Sequence, residues 1–270
     1  MNSGDLVYTL WSHCVPFNYV GNMGIVRLLI LWITGWGAGF VVNWLADQLP
    51  LYRRLGAPVC LQCEHPYGWL AFLFLEDCQN CGQSRSLRSR LVQWLFPLAF
   101  ILVNFWKPDR LETLEALALI VFFGLVLVVD VEHRLILHPI SLAGAALAVL
   151  IGVRLHGPLP TLYGGAAGFG MMLALYYLGD VFARVMARRR GESLDEVALG
   201  FGDVNLAGIL GLLLGWPGIT VGLLIAILAG GITSGLVIAV MLLRKRYQAF
   251  TALPYAPFLI LAGIVLLFRA

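Results

Sequence analysis

Leu199-Gly200-Phe201-Gly202-Asp203-Val204-Asn205-Leu206 sets an aspartate at the head of an apolar run that continues from Ala207 to Leu214. A carboxylate in such surroundings is expensive, so an acid placed there marks a functional site by default. Glycines at 200 and 202 let another helix or an extended peptide come close to the backbone. The competing reading is an aspartate satisfied by a purely structural partner, and the rest of the chain must separate the two.

Of the 270 residues, 60% are hydrophobic and 12% charged, where soluble proteins carry about 25% charged residues. Mean hydropathy is +0.86. These values exclude a water-soluble fold and point to an all-α, polytopic integral membrane protein. The net charge of +3 is too small to suggest a nucleic-acid partner. The first 23 residues have no basic stretch ahead of an apolar core, so no cleavable signal peptide is expected.

A membrane-spanning helix needs about 17–25 apolar residues, and eight runs approach that length. They cover Gly24 to Leu45, Leu91 to Trp106, Leu111 to Val129, Pro139 to Val153, Leu159 to Phe182, Leu199 to Leu214, Gly218 to Leu243 and Ala252 to Phe268. The second, fourth and sixth are short, as if shielded by neighbours. Glycines at 164, 165, 168 and 170, and at 230 and 231, look like close helix contacts.

Basic residues give the orientation. Arg53, Arg54, Arg85, Arg88, Arg90, Arg134, Arg184, Arg188, Arg189, Arg190, Arg244, Lys245 and Arg246 all follow odd-numbered spans. Arg27, Lys107, Arg110, Arg154 and Arg269 lie on the other side. The positive-inside rule then places the loops after spans one, three, five and seven in the cytosol, with both termini outside. The expected organisation is an outer segment (1–23), a first transmembrane helix (24–49), a cytosolic loop domain (50–90) and a seven-helix core (91–270).

That long loop carries Cys60-x-x-Cys63 and Cys78-x-x-Cys81, with 14 residues between the pairs. Two such steps suit a tetrahedral four-thiolate zinc site, and a cytosolic location argues against two disulfides. About forty residues have too little core to fold unaided, so a structural Zn2+ would be the staple. Cys14 stands apart as a lone thiol.

Asp130 closes the third run at its cytosolic end, and Asp203 opens the sixth from the same side. Two carboxylates that approach each other do not both ionise readily, so they share a proton. The charged member can activate water while the protonated member polarises a peptide carbonyl, which is the aspartic-protease arrangement. The competing reading pairs Asp130 with Arg134 or His133. His133 and His138, five apart, fit no single helical face as a metal pair. Asp180 and Arg184 are spaced for an i,i+4 ion pair. Asp195 and Glu196 precede the key stretch and can cap it.

At this point the sequence resembles the bacterial type IV prepilin peptidases, membrane aspartic proteases of the Gly-x-Gly-Asp class. Leu199 to Leu206 is similar to the family's GxGDVKL signature, and Asp130 sits where the family has its first catalytic aspartate. Gly39-Phe-Val-Val-Asn43 with Gln48-Leu49-Pro50 resembles the family's GSFLNV…RLP segment. Leu253-Pro254-Tyr-Ala-Pro257-Phe258 resembles PFGPFL. The four cysteines match the zinc-binding loop of the larger, bifunctional members.

The resemblance implies a multi-pass protein of the bacterial inner (cytoplasmic) membrane, with its active site facing the cytosol. Its catalytic residues would be Asp130 and Asp203, its zinc ligands Cys60, Cys63, Cys78 and Cys81. Gly200, Phe201, Gly202 and Asn205 would contact substrate. The substrates would be prepilins or pseudopilins of pilus and secretion systems, cut after the glycine that ends a short basic leader. Bifunctional members then methylate the new amine with S-adenosylmethionine. Departures include Asn205 for the usual lysine, Gln48 for arginine, Leu137-His138 before Pro139, and Gln93 for a glutamate. Several cluster around the methyltransferase loop, so the expectation is a competent peptidase with weak, altered or absent methylation. The alternatives are another Gly-x-Gly-Asp intramembrane protease and a transporter with an acidic ion path. A transporter would predict repeats and broken helices, and no clear repeat is visible.

Overall fold

The computed structural model describes residues 17–106, 108, 110–134, 136–190, 200–244 and 254–268, with side chains from residue 24 onward except at 183 and 186–190. Cys14, Asp195, Glu196, Lys107, Lys245, Arg246 and Arg269 lie outside the described residues, as do the side chains of Arg188 to Arg190. Apart from one isolated bridge between Val59 and Pro66, every regular element among the described residues is helical. The helices are α1 (Phe17–Tyr52), α2 (Trp69–Leu73), α3 (Leu87–Trp106), α4 (Thr113–His133), α5 (His138–His156), α6 (Pro158–Arg190), α7 (Phe201–Leu214), α8 (Gly218–Leu243) and α9 (Ala256–Leu267).

Among the described residues, each of the eight apolar runs is largely helical. Those in α1, α3, α4, α5, α6 and α8 are long and apolar enough to cross a membrane, which makes this a multi-pass membrane protein. The other two helices are short: α7 has 14 residues and α9 has 12. At 1.5 Å per residue they reach about 21 and 18 Å, less than an apolar layer of about 30 Å. The expected eight spans are therefore six full-length helices and two short ones among the described residues.

The chain divides into two compact units, residues 1–44 with 57–105, and residues 45–56 with 106–270. In the first, α1 presents Gly35, Gly39 and Asn43 at successive turns to α3. A Cβ on Gly35 would stand 2.6 Å from the Pro97 Cα, and one on Gly39 3.1 Å from the Gln93 Cα. At Gly35 a Cβ would collide with backbone, and at Gly39 its neighbour would have to give by a few tenths of an ångström, so small residues suit the crossing. One turn on, the fully buried Asn43 donates to the Ser89 carbonyl at 3.0 Å and to Gln93 Oε1 at 3.3 Å. Gln93 Nε2 in turn donates to the Trp36 carbonyl at 2.7 Å. Buried amides of this kind are tolerated because they satisfy one another. The cysteine loop is tied down by Trp36 Nε1, which donates to the Leu73 carbonyl at 3.2 Å. Phe72 of α2, 1% exposed, anchors it against Phe40 and under the Arg85 guanidinium, which lies 4.2 Å from its ring centre.

The second unit is built around α7. Its residues Val204, Leu206, Ala207 and Leu213 are fully buried, and it packs most heavily on α6 and then on α5. Glycines make the α6–α7 crossing possible: a Cβ on Gly164 would fall 2.3 Å from the Gly211 oxygen, and one on Gly211 2.1 Å from the Gly164 oxygen. Gly165 and Gly168 meet the same helix, and Gly230 meets Tyr255, as expected. Gly170 and Gly231 do not: nothing lies within 4 Å of either missing Cβ, because both point away from their neighbours. Arg154 of α5 pairs with Glu115 of α4 and tethers the far ends of those helices. Asp180 and Arg184 form the expected i,i+4 pair.

Candidate active site and metal centre

Asp203 is the third residue of α7, and Gly200 caps that helix in an extended conformation. Its Oδ2 accepts the Gly200 N–H at 3.3 Å. A helix N-terminus offers unpaired N–H groups and a positive field, which offset part of the cost of a carboxylate. The other oxygen, Oδ1, is buried and has no partner.

Asp130 lies in the last turn of α4. Arg134 stops the helix in a left-handed conformation (φ 51°), its N–H donating to the Asp130 carbonyl at 2.8 Å. The chain then passes Ile136 and re-enters a helix at His138, where Pro139 suits the first turn. Asp130 is 6% exposed, and its Oδ2 has no partner. It forms no ion pair with Arg134 or His133; His133 instead lies 3.9 Å from Glu132.

The connection between α4 and α5 brings the two acids together. A Cβ on Gly202 would stand 2.8 Å from the Ile136 Cβ and 3.2 Å from its nitrogen, so this glycine lets the first turn of α7 sit against that connection. The close approach at Gly202 is made by the chain itself. Asp130 and Asp203 line one cavity of about 550 Å3, together with Gly200, Phe201, Gly202 and Asn205. His138 lines it as well. The Phe201 ring is braced by Phe169 and Tyr176 of α6, with ring centres 6.4 and 6.1 Å away. A cavity with two buried carboxylates, each keeping one uncommitted oxygen, can hold a water and present it to a carbonyl.

The four cysteines form a separate centre. Their sulfurs lie within 4.8 Å of one another and none is in a disulfide. Cys60 is 3.7 Å from Cys81 and Cys63 is 3.6 Å from Cys78, sulfur to sulfur. A tetrahedral ion with metal–sulfur bonds of about 2.3 Å would set its ligands about 3.8 Å apart, so the cluster could hold a metal ion.

The two halves share one hydrogen-bond frame. Cys60 N–H donates to the His65 carbonyl and Cys78 N–H to the Gln83 carbonyl, at 2.9 and 3.0 Å. Glu64 and Gly82, both left-handed, return their N–H groups to the Cys60 and Cys78 carbonyls at 2.8 Å. Burial opposes ionisation of Cys60, yet the N–H groups of Gln62 and Cys63 bring it down to about 6. The Gln83 N–H favours a thiolate at Cys81, but burial and the three other sulfurs push it up to about 12. Four thiols so close need a cation before all can ionise.

The type IV leader peptidase family matches residues 117–235, a segment that contains both aspartates. A prepilin leader peptidase/N-methyltransferase of Aeromonas salmonicida (strain A449) is 28% identical over 221 residues, covering 77% of this chain and 69% of that protein. Proteins of the same description from Myxococcus xanthus (strain DK1622) and Bacillus subtilis (strain 168) are 28% and 26% identical. They cover 78% and 88% of this chain, and 63% and 92% of their own lengths. Over residues 117–235 the chain is similar to the type IV leader peptidase family. No solved structure is a significant match.

Several residues that line this cavity were not expected there from the sequence, Arg134, Leu137 and Pro139 among them. Leu49 and Arg53 come from the end of α1, and Ile136 from the α4–α5 connection. Arg53 was already accounted for as a topogenic charge. Ile136 had a signal, since a bulky residue close after Asp130 is what a glycine in the facing turn accommodates. Among the described residues, the four cysteines are the one group of three or more His, Cys, Asp or Glu side chains drawn close enough to hold a metal ion.

Proposed function

We propose that the chain is a membrane aspartic endopeptidase that removes the leader from type IV prepilins or pseudopilins, with Asp130 and Asp203 as its catalytic pair. The observation that carries this is a single cavity, inside the family-matched segment, lined by two buried aspartates that each keep an unpartnered oxygen. The ionised carboxylate takes a proton from water, and the protonated one donates a hydrogen bond to the scissile carbonyl. Water oxygen bonds to the carbonyl carbon, the proton passes to the amide nitrogen, and the C–N bond breaks. In this reading Gly200, Phe201, Gly202 and Asn205, which line the cavity, contact the extended segment that enters it. The charge distribution supports a cytosol-facing site in the bacterial inner membrane, where a basic leader stays inside.

Zn2+ suits the four thiolates of Cys60, Cys63, Cys78 and Cys81, whose spacing fits a tetrahedron and leaves no open position for substrate. Its role is to staple the loop. S-adenosylmethionine is implied for the relatives named N-methyltransferase. In this chain Asn43 and Gln93 already spend their amide groups on each other, on Arg88 and on the Trp36 and Ser89 backbone. They offer nothing to a cofactor, and we assign this chain no methyl-transfer step.

The test is co-expression of a prepilin with the wild type, Asp130→Ala and Asp203→Ala. Both variants are expected to lose at least about 10^3-fold in leader removal, as for catalytic groups that act as a unit. Wild-type processing by either variant would refute the pair.

A further inference from the structure

The cavity that holds Asp130 and Asp203 also holds two cations, Arg53 and Arg134. Each arginine ends a helix. Each is left-handed, with φ 51°, and donates its N–H to a carbonyl four residues back, Leu49 at 3.2 Å and Asp130 at 2.8 Å. Glycine is the usual residue at such a helix end because it adopts this conformation without strain. Here arginine occupies the position twice, and both residues line one cavity. Neither is ion-paired with either aspartate.

Hydrolysis of an uncharged peptide bond creates two charged ends. The carbonyl carbon gains the water oxygen and becomes a carboxylate. The nitrogen leaves with the proton and, with a second proton from water, becomes an ammonium. The ammonium is matched by the aspartates. The carboxylate is repelled by them and requires cations. We propose that Arg53 and Arg134 form the subsite that receives the new C-terminal carboxylate of the released leader. This rests on the peptidase reading above. Before cleavage the same guanidiniums face an uncharged carbonyl, so the subsite favours product over substrate and retains the leader until it is displaced. Arginine suits the task because its planar fork matches a carboxylate with two parallel hydrogen bonds.

The test uses the purified full-length enzyme cleaving a prepilin, inhibited by a synthetic leader peptide ending either in a free carboxylate or in an amide. The acid form is expected to inhibit about tenfold better, the effect of one charge-assisted contact. Arg53→Gln/Arg134→Gln should erase that preference, Arg53→Lys/Arg134→Lys should keep part of it, and Arg54→Gln, which does not line the cavity, should keep all of it. Should the double glutamine variant fail to fold, Arg53→Gln and Arg134→Gln singly carry the comparison, each losing part of the preference. Equal inhibition by both peptides in the wild type, or a preference that survives the glutamine variants, overturns the subsite. Absence of prepilin cleavage by the wild type would instead overturn the peptidase reading.

Discussion

Gly202 and Ile136 touch so closely that a methyl group on the glycine would stand 2.8 Å from the Ile136 Cβ. This contact seats the turn that carries Asp203 against the connection that follows Asp130. Gly202→Ala should push the two apart while leaving the buried remainder of α7 in place. Prepilin cleavage is expected to fall about 10–100-fold, the scale of a 1 Å misplacement, with little change in thermal stability. Full activity in this variant would mean that the pair does not depend on the contact.

A second prediction concerns the crossing of α6 and α7. Gly164→Val would drive side-chain atoms into the Gly211 carbonyl, 2.3 Å from the Cβ position. It should destabilise the protein by about 3 kcal/mol or more, at the upper end for overpacking, and cut the yield of folded protein from membranes. Gly170→Ala, with open space around its Cβ, should be neutral or stabilising by up to about 1 kcal/mol. Equal losses in the two variants would show that the crossing does not discriminate.

Gln93→Glu restores the acid found at this position in the family pattern, and is expected to harm the fold. Gln93 donates to the Trp36 carbonyl and accepts from Asn43. A carboxylate cannot donate, so two oxygens would face each other in a buried site. The cost should be about 1–3 kcal/mol, read as a lower melting temperature. An unchanged melting temperature would indicate that the network rearranges freely.

Cys60→Ser with Cys78→Ser should abolish bound zinc, measured as metal per chain. Serine is a poor substitute for thiolate, and the remaining sulfurs cannot close a tetrahedron. Protease should then cut within 57–86 at concentrations that spare the wild type. Retention of one zinc per chain would refute the four-sulfur assignment.

Much of this was legible in the sequence because the governing physics is local. Among the described residues each apolar run is largely helical, and Asp130 and Asp203, singled out as acids at the ends of apolar runs, line one cavity. The pairs of cysteines announced their own centre. What could not be read depends on which faces meet. Gly164 and Gly170 sit on the same apolar stretch, and only packing reveals that the first is at a crossing and the second is not. Arg53 lies far from Asp130 in sequence, and its charge already had a sufficient explanation. The Gly35–Gly39–Asn43 row was missed as a row because a uniformly apolar span hides which stripe faces protein.

The burial of α7 has a consequence for anyone who screens this protein by random mutagenesis. Asp203 is fixed at one end of a rod whose grip lies near Gly211, eight residues and about 12 Å farther along. A change of register at the grip moves the acid by the same amount. Inactive clones should therefore map to glycines that no substrate reaches, and a screen scored on activity alone would draw the active site too large. Sorting those clones by whether they still fold would recover its true outline.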